Sequence, residues 1–151
     1  MKKVIVAALA MMTLGSIAVF AQSGAEIDKL LSTDEVSQAL ASRFVLPAAD
    51  ILPANATPEA SFAAAREKGW LPADAEPDAP IRLSTLSFLI AQSFGMKGGM
   101  MYSIAPGPRY AYRELVYLRI IQGVSDPALT VSGERLMRIL GRMLDRQGGE
   151  S

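Results

Sequence analysis

The fold is decided by residues 114–144, ELVYLRIIQGVSDPALTVSGERLMRILGRML. This stretch predicts a helix, a loop and a second helix. Apolar residues at helical spacing predict a first helix from about Arg109 to Gln122. Gly123 suits the left-handed conformation found just beyond a helix end, and Ser125-Asp126-Pro127 is typical of a turn. The apolar spacing then predicts a second helix from about Ser132 to Asp145.

The same order of signals occurs earlier in the chain. Thr57 and Pro58 are typical of the cap and the first position of a helix, which Gly69 is expected to end. A proline-rich loop follows, and a second helix is predicted from about Ser84 to Phe94. The chain therefore contains an internal repeat.

The two predicted units lie at about 57–96 and 109–146 of a domain spanning 57–148. The apolar stripes of their second helices are 50 residues apart, whereas Gly69 and Gly123 are 54 apart, so the two loops are expected to differ by four residues. Neither unit could bury its apolar face alone, so the units must pack on each other. We expect an all-α fold, a small bundle of helix-loop-helix repeats. The stripes are Leu86, Leu89, Ile90 and Phe94 in the first unit and Leu136, Ile139, Leu140 and Leu144 in the second.

Residues 22–56 are predicted to form an N-terminal helix and a proline-rich connector. Ser32 followed by Glu35 resembles a capping box, which predicts a helix from Ser32 to about Phe44. Pro47 is expected to stop that helix, and the connector that follows is expected to lie across the core.

Residues 1–21 have the three-part layout of a signal peptide, predicted as a helix. Lys2 and Lys3 precede an apolar stretch that ends near the small residue Ala21, where we expect cleavage. The alternative is an uncleaved membrane anchor, since the apolar stretch is close to the shortest that spans a bilayer. We therefore expect an exported protein of the periplasm or cell envelope.

Composition limits the possible functions. Without Lys2 and Lys3, 13 of the 15 basic residues remain against 15 acidic ones, which argues against a general nucleic-acid binder. The chain has no histidine and no cysteine, so the commonest general base, the standard nucleophilic triads and thiolate metal sites are absent. We expect no enzymatic activity, no cofactor and no metal.

The units resemble the S-layer homology domain. Leu115 to Gly123 is similar to that family's first helix and its glycine, and Asp126-Pro127 to its loop. Val131-Ser132-Gly133-Glu134 is similar to the start of its second helix. A weaker copy covers 60–94, with Gly69-Trp70 at the helix end and Ile81-Arg82-Leu83-Ser84 at the second helix start.

The resemblance implies helical repeats around a common axis whose grooves hold peptidoglycan or a wall-linked polysaccharide. The arginine with which the family grips an anionic polymer has a counterpart in Arg82 but is Ser132 in the second unit. The family's glutamate has a counterpart in Glu134 but is Ser84 in the first unit. The family commonly has three repeats, and the helix predicted from Ser32 could supply part of a third.

Three candidate ligand-binding residues lie at helix ends. Trp70 could stack on a sugar ring or pack against the core. Arg82 could hold a carboxylate or phosphate with two parallel hydrogen bonds, or pair with loop acids such as Glu76 and Asp78. Glu134 could contact a ligand, although its favourable interaction with the helix dipole accounts for it without one.

The other candidates interleave basic and aromatic side chains, Arg109, Tyr110, Tyr112 and Arg113, a pattern that suits sugars, phosphates or a protein partner. Two hypotheses result. The first is a non-catalytic wall-binding module. The alternative is a small periplasmic scaffold or adaptor that binds an envelope protein, or associates with itself, through its helical repeats or through exposed methionines such as Met100.

Overall fold

The computed structural model describes residues 24–149, and within that range the protein is helical, without a sheet. The predicted signal peptide and its expected cleavage after Ala21 lie outside the described residues. Seven helices follow one another along the described chain: α1 (24–31), α2 (Gln38–Ala48), α3 (Pro58–Glu67), α4 (Leu83–Ser93), α5 (Met100–Ile104), α6 (Pro108–Tyr117) and α7 (Gly133–Gly149).

These helices form three helix-loop-helix units. The first unit is α1 with α2, the second is α3 with α4, and the third is α6 with α7. Helix α5 lies in the connection between the second and third units. In each unit a short extended segment precedes the second helix.

The three extended segments hydrogen-bond to one another in a closed ring. The first residue of each second helix donates its backbone N–H to a carbonyl of the next unit. Gln38 donates to Ala79 at 2.9 Å and Leu83 to Leu129 at 2.8 Å, and Gly133 closes the ring on Thr33 at 2.9 Å. Isolated antiparallel bridges, Ser37 with Pro80 and Arg82 with Thr130, accompany these bonds.

One β-branched residue from each segment lies at the centre of the ring. Val36, Ile81 and Val131 are completely buried, and their backbones are linked directly. The Val36 N–H donates to the carbonyl of Val131, and the Ile81 N–H to the carbonyl of Val36, both at 2.8 Å. The main hydrophobic core surrounds this centre and contains residues of all three units.

The helices predicted within 57–96 agree closely with α3 and α4 of the second unit, and those predicted within 109–146 are present as α6 and α7 of the third unit with different ends. Thr57 caps α3, Gly69 adopts a positive φ of 70°, and α4 lies within one residue of its predicted bounds. The apolar stripes are buried as predicted with one exception. Leu144 is exposed because it lies on the outer side of α7, whereas its neighbour Met143 is buried in the core.

The end of α6 differs from the prediction. The helix ends at Tyr117, and the left-handed residue that completes its end is Arg119, with φ 58°. Gly123 also has a positive φ, of 83°, but it lies further along the loop. The Ile120 N–H bonds to Leu115 just as the Trp70 N–H bonds to Ala65 at the end of α3. Arg119 is therefore the counterpart of Gly69, the spacing of 50 residues is constant, and the expected four-residue difference between the loops is wrong.

The prediction for the N-terminal helix was also wrong in its bounds. The side chains of Ser32 and Thr33 donate to the carbonyl of Lys29 and complete the end of α1. Ser37 is the cap of α2, accepting from the Leu40 N–H at 3.2 Å. Pro47 lies inside the last turn of α2, where it does not stop the helix.

Gly133 is the residue on which the closure of the ring depends most directly. A Cβ at this position would collide with the backbone carbonyl of Leu30. In an open helical site, replacing glycine with alanine stabilises a protein by about 1 kcal/mol. We expect Gly133→Ala to do the reverse and destabilise by at least about 2 kcal/mol, measured by urea unfolding.

Gly141 of the same helix provides the matched control because no atom lies within 4 Å of a Cβ built there. Gly141→Ala should raise the free energy of unfolding by up to about 1 kcal/mol. Equal effects of the two substitutions would contradict the close approach of α1 to the start of α7.

Candidate functional site

The structure does not bring the predicted ligand-binding residues into one site. Trp70 is half-buried and packs against the main core, with the Lys68 ammonium 5.2 Å from its ring centroid. Glu134 is exposed on the first turn of α7 and pairs with Arg138 at 3.3 Å. Both residues therefore have intramolecular partners.

Arg82 lies at the N-cap position of α4. Its counterparts in the other units are Ser37 and Ser132, whose hydroxyls accept from N–H groups of the first turns of α2 and α7. The side chain of Arg82 makes no such bond and is exposed. Among residues 24–149 it forms no ion pair, so the expected pairing with Glu76 or Asp78 is not observed.

The four candidates on α6 lie in three different surroundings. Tyr112 packs against the main core, and its hydroxyl contacts that of Ser125 in the following loop. Tyr110 is half-buried and packs against the small cluster of Ala91, Tyr102 and Ala111. Arg109 and Arg113 are exposed.

A cleft of about 340 Å³ separates α5 from α6 and includes Tyr110 and Arg113 in its lining. Helix α5 was not predicted, since it is only five residues long. It is attached through Tyr102, which is buried and whose hydroxyl accepts a hydrogen bond from the Gln92 side chain at 2.7 Å. The cleft is also lined by Met100, Met101 and Tyr117 but not by Trp70 or Arg82.

A second concave site was missed by the sequence reasoning. Residues 122–124 of the loop after α6 and one face of α7 enclose a groove of about 280 Å³, which we call the arginine groove. Its basic side chains are Arg135, Arg138 and Arg142 of α7.

The arginines are fixed in place by bonds to neutral backbone acceptors. Arg135 donates to the carbonyl of Val124 at 2.7 Å, and Arg142 donates to that of Ile120 at 3.2 Å. Only Arg138 of the three has a carboxylate partner in the part of the chain that the structure describes. The groove is therefore positively charged.

The sequence did contain a signal for this groove. Positions 135, 138 and 142 follow the three-and-four spacing that places side chains on one face of a helix. The same third of the chain is rich in basic residues: from Gly95 onward there are 8 basic and 5 acidic residues.

Neither metal ligands nor a membrane-spanning segment is found in residues 24–149. No group of three or more histidine, cysteine, aspartate or glutamate side chains is placed to hold a metal ion. No helix there combines the length and the apolar character needed to cross a bilayer. The chain matches no protein-family model, no curated protein and no solved structure.

The absence of a side-chain cap at Arg82 predicts a stabilising substitution. Arg82→Ser would place a hydroxyl where Ser37 and Ser132 already cap their helices. We expect the free energy of unfolding to rise by about 1 kcal/mol in urea titrations. Ser132→Ala should lower it by a similar amount, and a neutral effect of both changes would show that the cap position does not limit stability.

Burial raises the pKa of Tyr102 above its ordinary value, and the hydrogen bond from Gln92 opposes this shift only in part. A tyrosine with a raised pKa in the folded state stabilises the fold below its unfolded pKa of about 10, and this contribution is lost as the pH rises further. Subtracting the phenolate absorbance of Tyr102→Phe from that of the parent protein leaves the absorbance of Tyr102 alone. We expect this difference to rise with a midpoint above pH 10. A midpoint at or below that pH would contradict the burial of this side chain beneath α5.

Proposed function

We propose that this protein is a non-catalytic cell-envelope module that associates with peptidoglycan or a wall-linked polysaccharide. It would bind the acidic groups of that polymer. The observation that carries the proposal is the arginine groove. Three guanidinium groups line one face of α7 beside an exposed loop, and two of them are bonded to neutral carbonyls only.

The hydrogen-bonding capacity of these side chains favours an anionic ligand. A guanidinium has five N–H donors in a planar fork that matches the oxygens of a carboxylate or a phosphate. Arg135 and Arg142 each donate to one backbone carbonyl, which orients the side chain and leaves further donors for a ligand. Preorientation of this kind lowers the entropic cost of binding.

The loop leaves room for a ligand beside the arginines. Gly123 has a positive φ of 83°, and no atom lies within 4 Å of the place where a Cβ would stand. Val124, the next residue, is 86% exposed. A sugar ring could therefore approach the backbone at Gly123 while its acidic substituent meets the guanidinium groups.

The arrangement of the three units also supports the proposal. Resemblance to the S-layer homology domain implied repeats around a common axis with polymer-binding grooves, and the ring formed by the three extended segments is an arrangement of that kind. Export through residues 1–21 would bring the module into contact with the wall. We propose no catalytic role because the chain has neither histidine nor cysteine.

Sedimentation with purified sacculi tests this function. The processed chain from Gln22, which contains every described helix, should sediment with sacculi that retain their acidic polymers. Arg138→Gln is the first variant, because Arg138 is exposed and its substitution leaves the two backbone anchors intact. We expect binding to weaken about tenfold, and to weaken further in Arg138→Gln/Arg142→Gln.

The control removes two positive charges elsewhere. Lys29 of α1 and Arg66 of α3 are exposed and lie outside the groove, so Lys29→Gln/Arg66→Gln should sediment as the parent does. Thermal melts establish that all variants are folded. Parent protein that stays in the supernatant, or equal loss in the control, would refute the proposed wall-binding function.

A further inference from the structure

We propose that the outer surface of α5 and α6 docks on a bilayer that contains anionic lipids. We call this surface the α5 face and define it by Met100, Met101 and Ile104 of α5 with Arg113 and Tyr117 of α6. It lies on elements other than those that form the arginine groove, so it does not depend on the proposed wall binding.

The apolar side of α5 points into solvent. Met100 is 76% exposed, Met101 53% and Ile104 72%. Positions 100, 101 and 104 lie on one side of a helical turn, opposite the buried Tyr102 that attaches α5 to the protein. Side chains of this size that stand together in solvent mark a contact surface rather than scattered exposure.

Helix α6 adds aromatic side chains next to these residues. Tyr117 is 80% exposed, and Tyr110, two turns earlier, is half-buried on the same side of α6. Both line the cleft that includes Met100 and Met101. Tyrosine suits the boundary between lipid and water, because its ring is apolar and its hydroxyl is polar.

The charge of this part of the chain matches an anionic surface, and Arg113 lies in the cleft lining itself. Between Gly95 and Gly123 the basic residues are Lys97, Arg109, Arg113 and Arg119, all exposed. The single acid of this stretch is Glu114, which is half-buried and turned toward the backbone of Gly99. A Cβ on Gly99 would stand 3.2 Å from the Glu114 Oε2 atom. Glu114 also lines the cleft between α5 and α6, but four basic residues against one acid leave this stretch positive overall.

A lipid surface fits these observations better than a protein partner. A specific protein interface commonly buries about 800 Å² on each side and requires a complementary shape. The α5 face offers a few unbranched or aliphatic side chains along a five-residue helix, with Arg113 in the adjoining cleft. A bilayer accepts such side chains without a matching shape and attracts the basic residues through its headgroups.

Vesicle flotation with the processed chain from Gln22 tests the proposal. The protein should float with vesicles of phosphatidylcholine and phosphatidylglycerol and bind vesicles of phosphatidylcholine alone much more weakly.

Met100→Ser/Ile104→Ser should weaken binding at least about tenfold. Arg109→Gln/Arg113→Gln should weaken it and reduce its dependence on salt. The matched control is Leu31→Ser/Leu144→Ser, two exposed apolar residues outside the α5 face and outside the arginine groove, which should float as the parent does.

Three results would overturn this proposal. The first is a parent protein that binds neither kind of vesicle, and the second is equal loss of binding in the control. The third is a dimer in size-exclusion chromatography that Met100→Ser/Ile104→Ser dissociates while vesicle binding is unaffected, which would assign the face to a second copy of this chain. Arg138→Gln should retain full flotation, so a failure of wall binding would leave this result interpretable.

Discussion

The hydrogen bonds that join the three extended segments are the constraint on which the rest of the structure depends. A helix leaves its first N–H groups without partners inside the helix, and these groups must be satisfied elsewhere. Here the first N–H of α2, of α4 and of α7 is satisfied by a carbonyl of a neighbouring unit. The bonds that complete the helix starts are therefore the same bonds that assemble the units, and no unit is complete without its neighbours.

This arrangement distinguishes the frame of the fold from the connections between its units. The hydrogen bonds of the ring fix the backbone of the three extended segments and the buried residues at its centre. The connections between the units lie outside the ring. The connection from the first unit to the second is the packed segment that includes Ile51 and Leu52, and the connection from the second to the third contains α5. A helix can be accommodated there because only Tyr102 has to join the interior. The α5 face is thus an addition to the three-unit frame.

Much of the fold could be predicted from the sequence, because apolar periodicity and capping residues act locally. The failures share a physical cause. Left-handed backbone at Arg119 is allowed by the tertiary structure although the side chain does not favour it. The choice of Ser37 over Ser32 as the cap of α2 depends on the ring, which brings Val36 to Val131 from far away in the chain. Local sequence signals cannot report such distant contacts.

The candidate sites were less predictable because they depend on which elements become neighbours. Interleaved arginines and tyrosines marked α6 as a candidate site, but Tyr112 packs on the core whereas Tyr110 and Arg113 line the cleft beside α5. The arginine groove exists only because the chain after α6 folds back along α7, where Arg135 and Arg142 bind its carbonyls. Spacing along α7 indicates a shared face but not what the face meets.

The two proposed surfaces have a joint physical consequence. The arginine groove belongs to α7 and the loop after α6, and the α5 face belongs to α5 and α6, so both are attached to the third unit. Helix α6 packs on α4, and the third unit is also bonded into the ring, which limits relative movement between the surfaces. If each surface binds as proposed, one rigid unit would contact wall polymer and lipid at fixed separation. Such a unit could act as a link between the two, and the excess of basic residues from Gly95 onward would be explained by two anionic ligands rather than one.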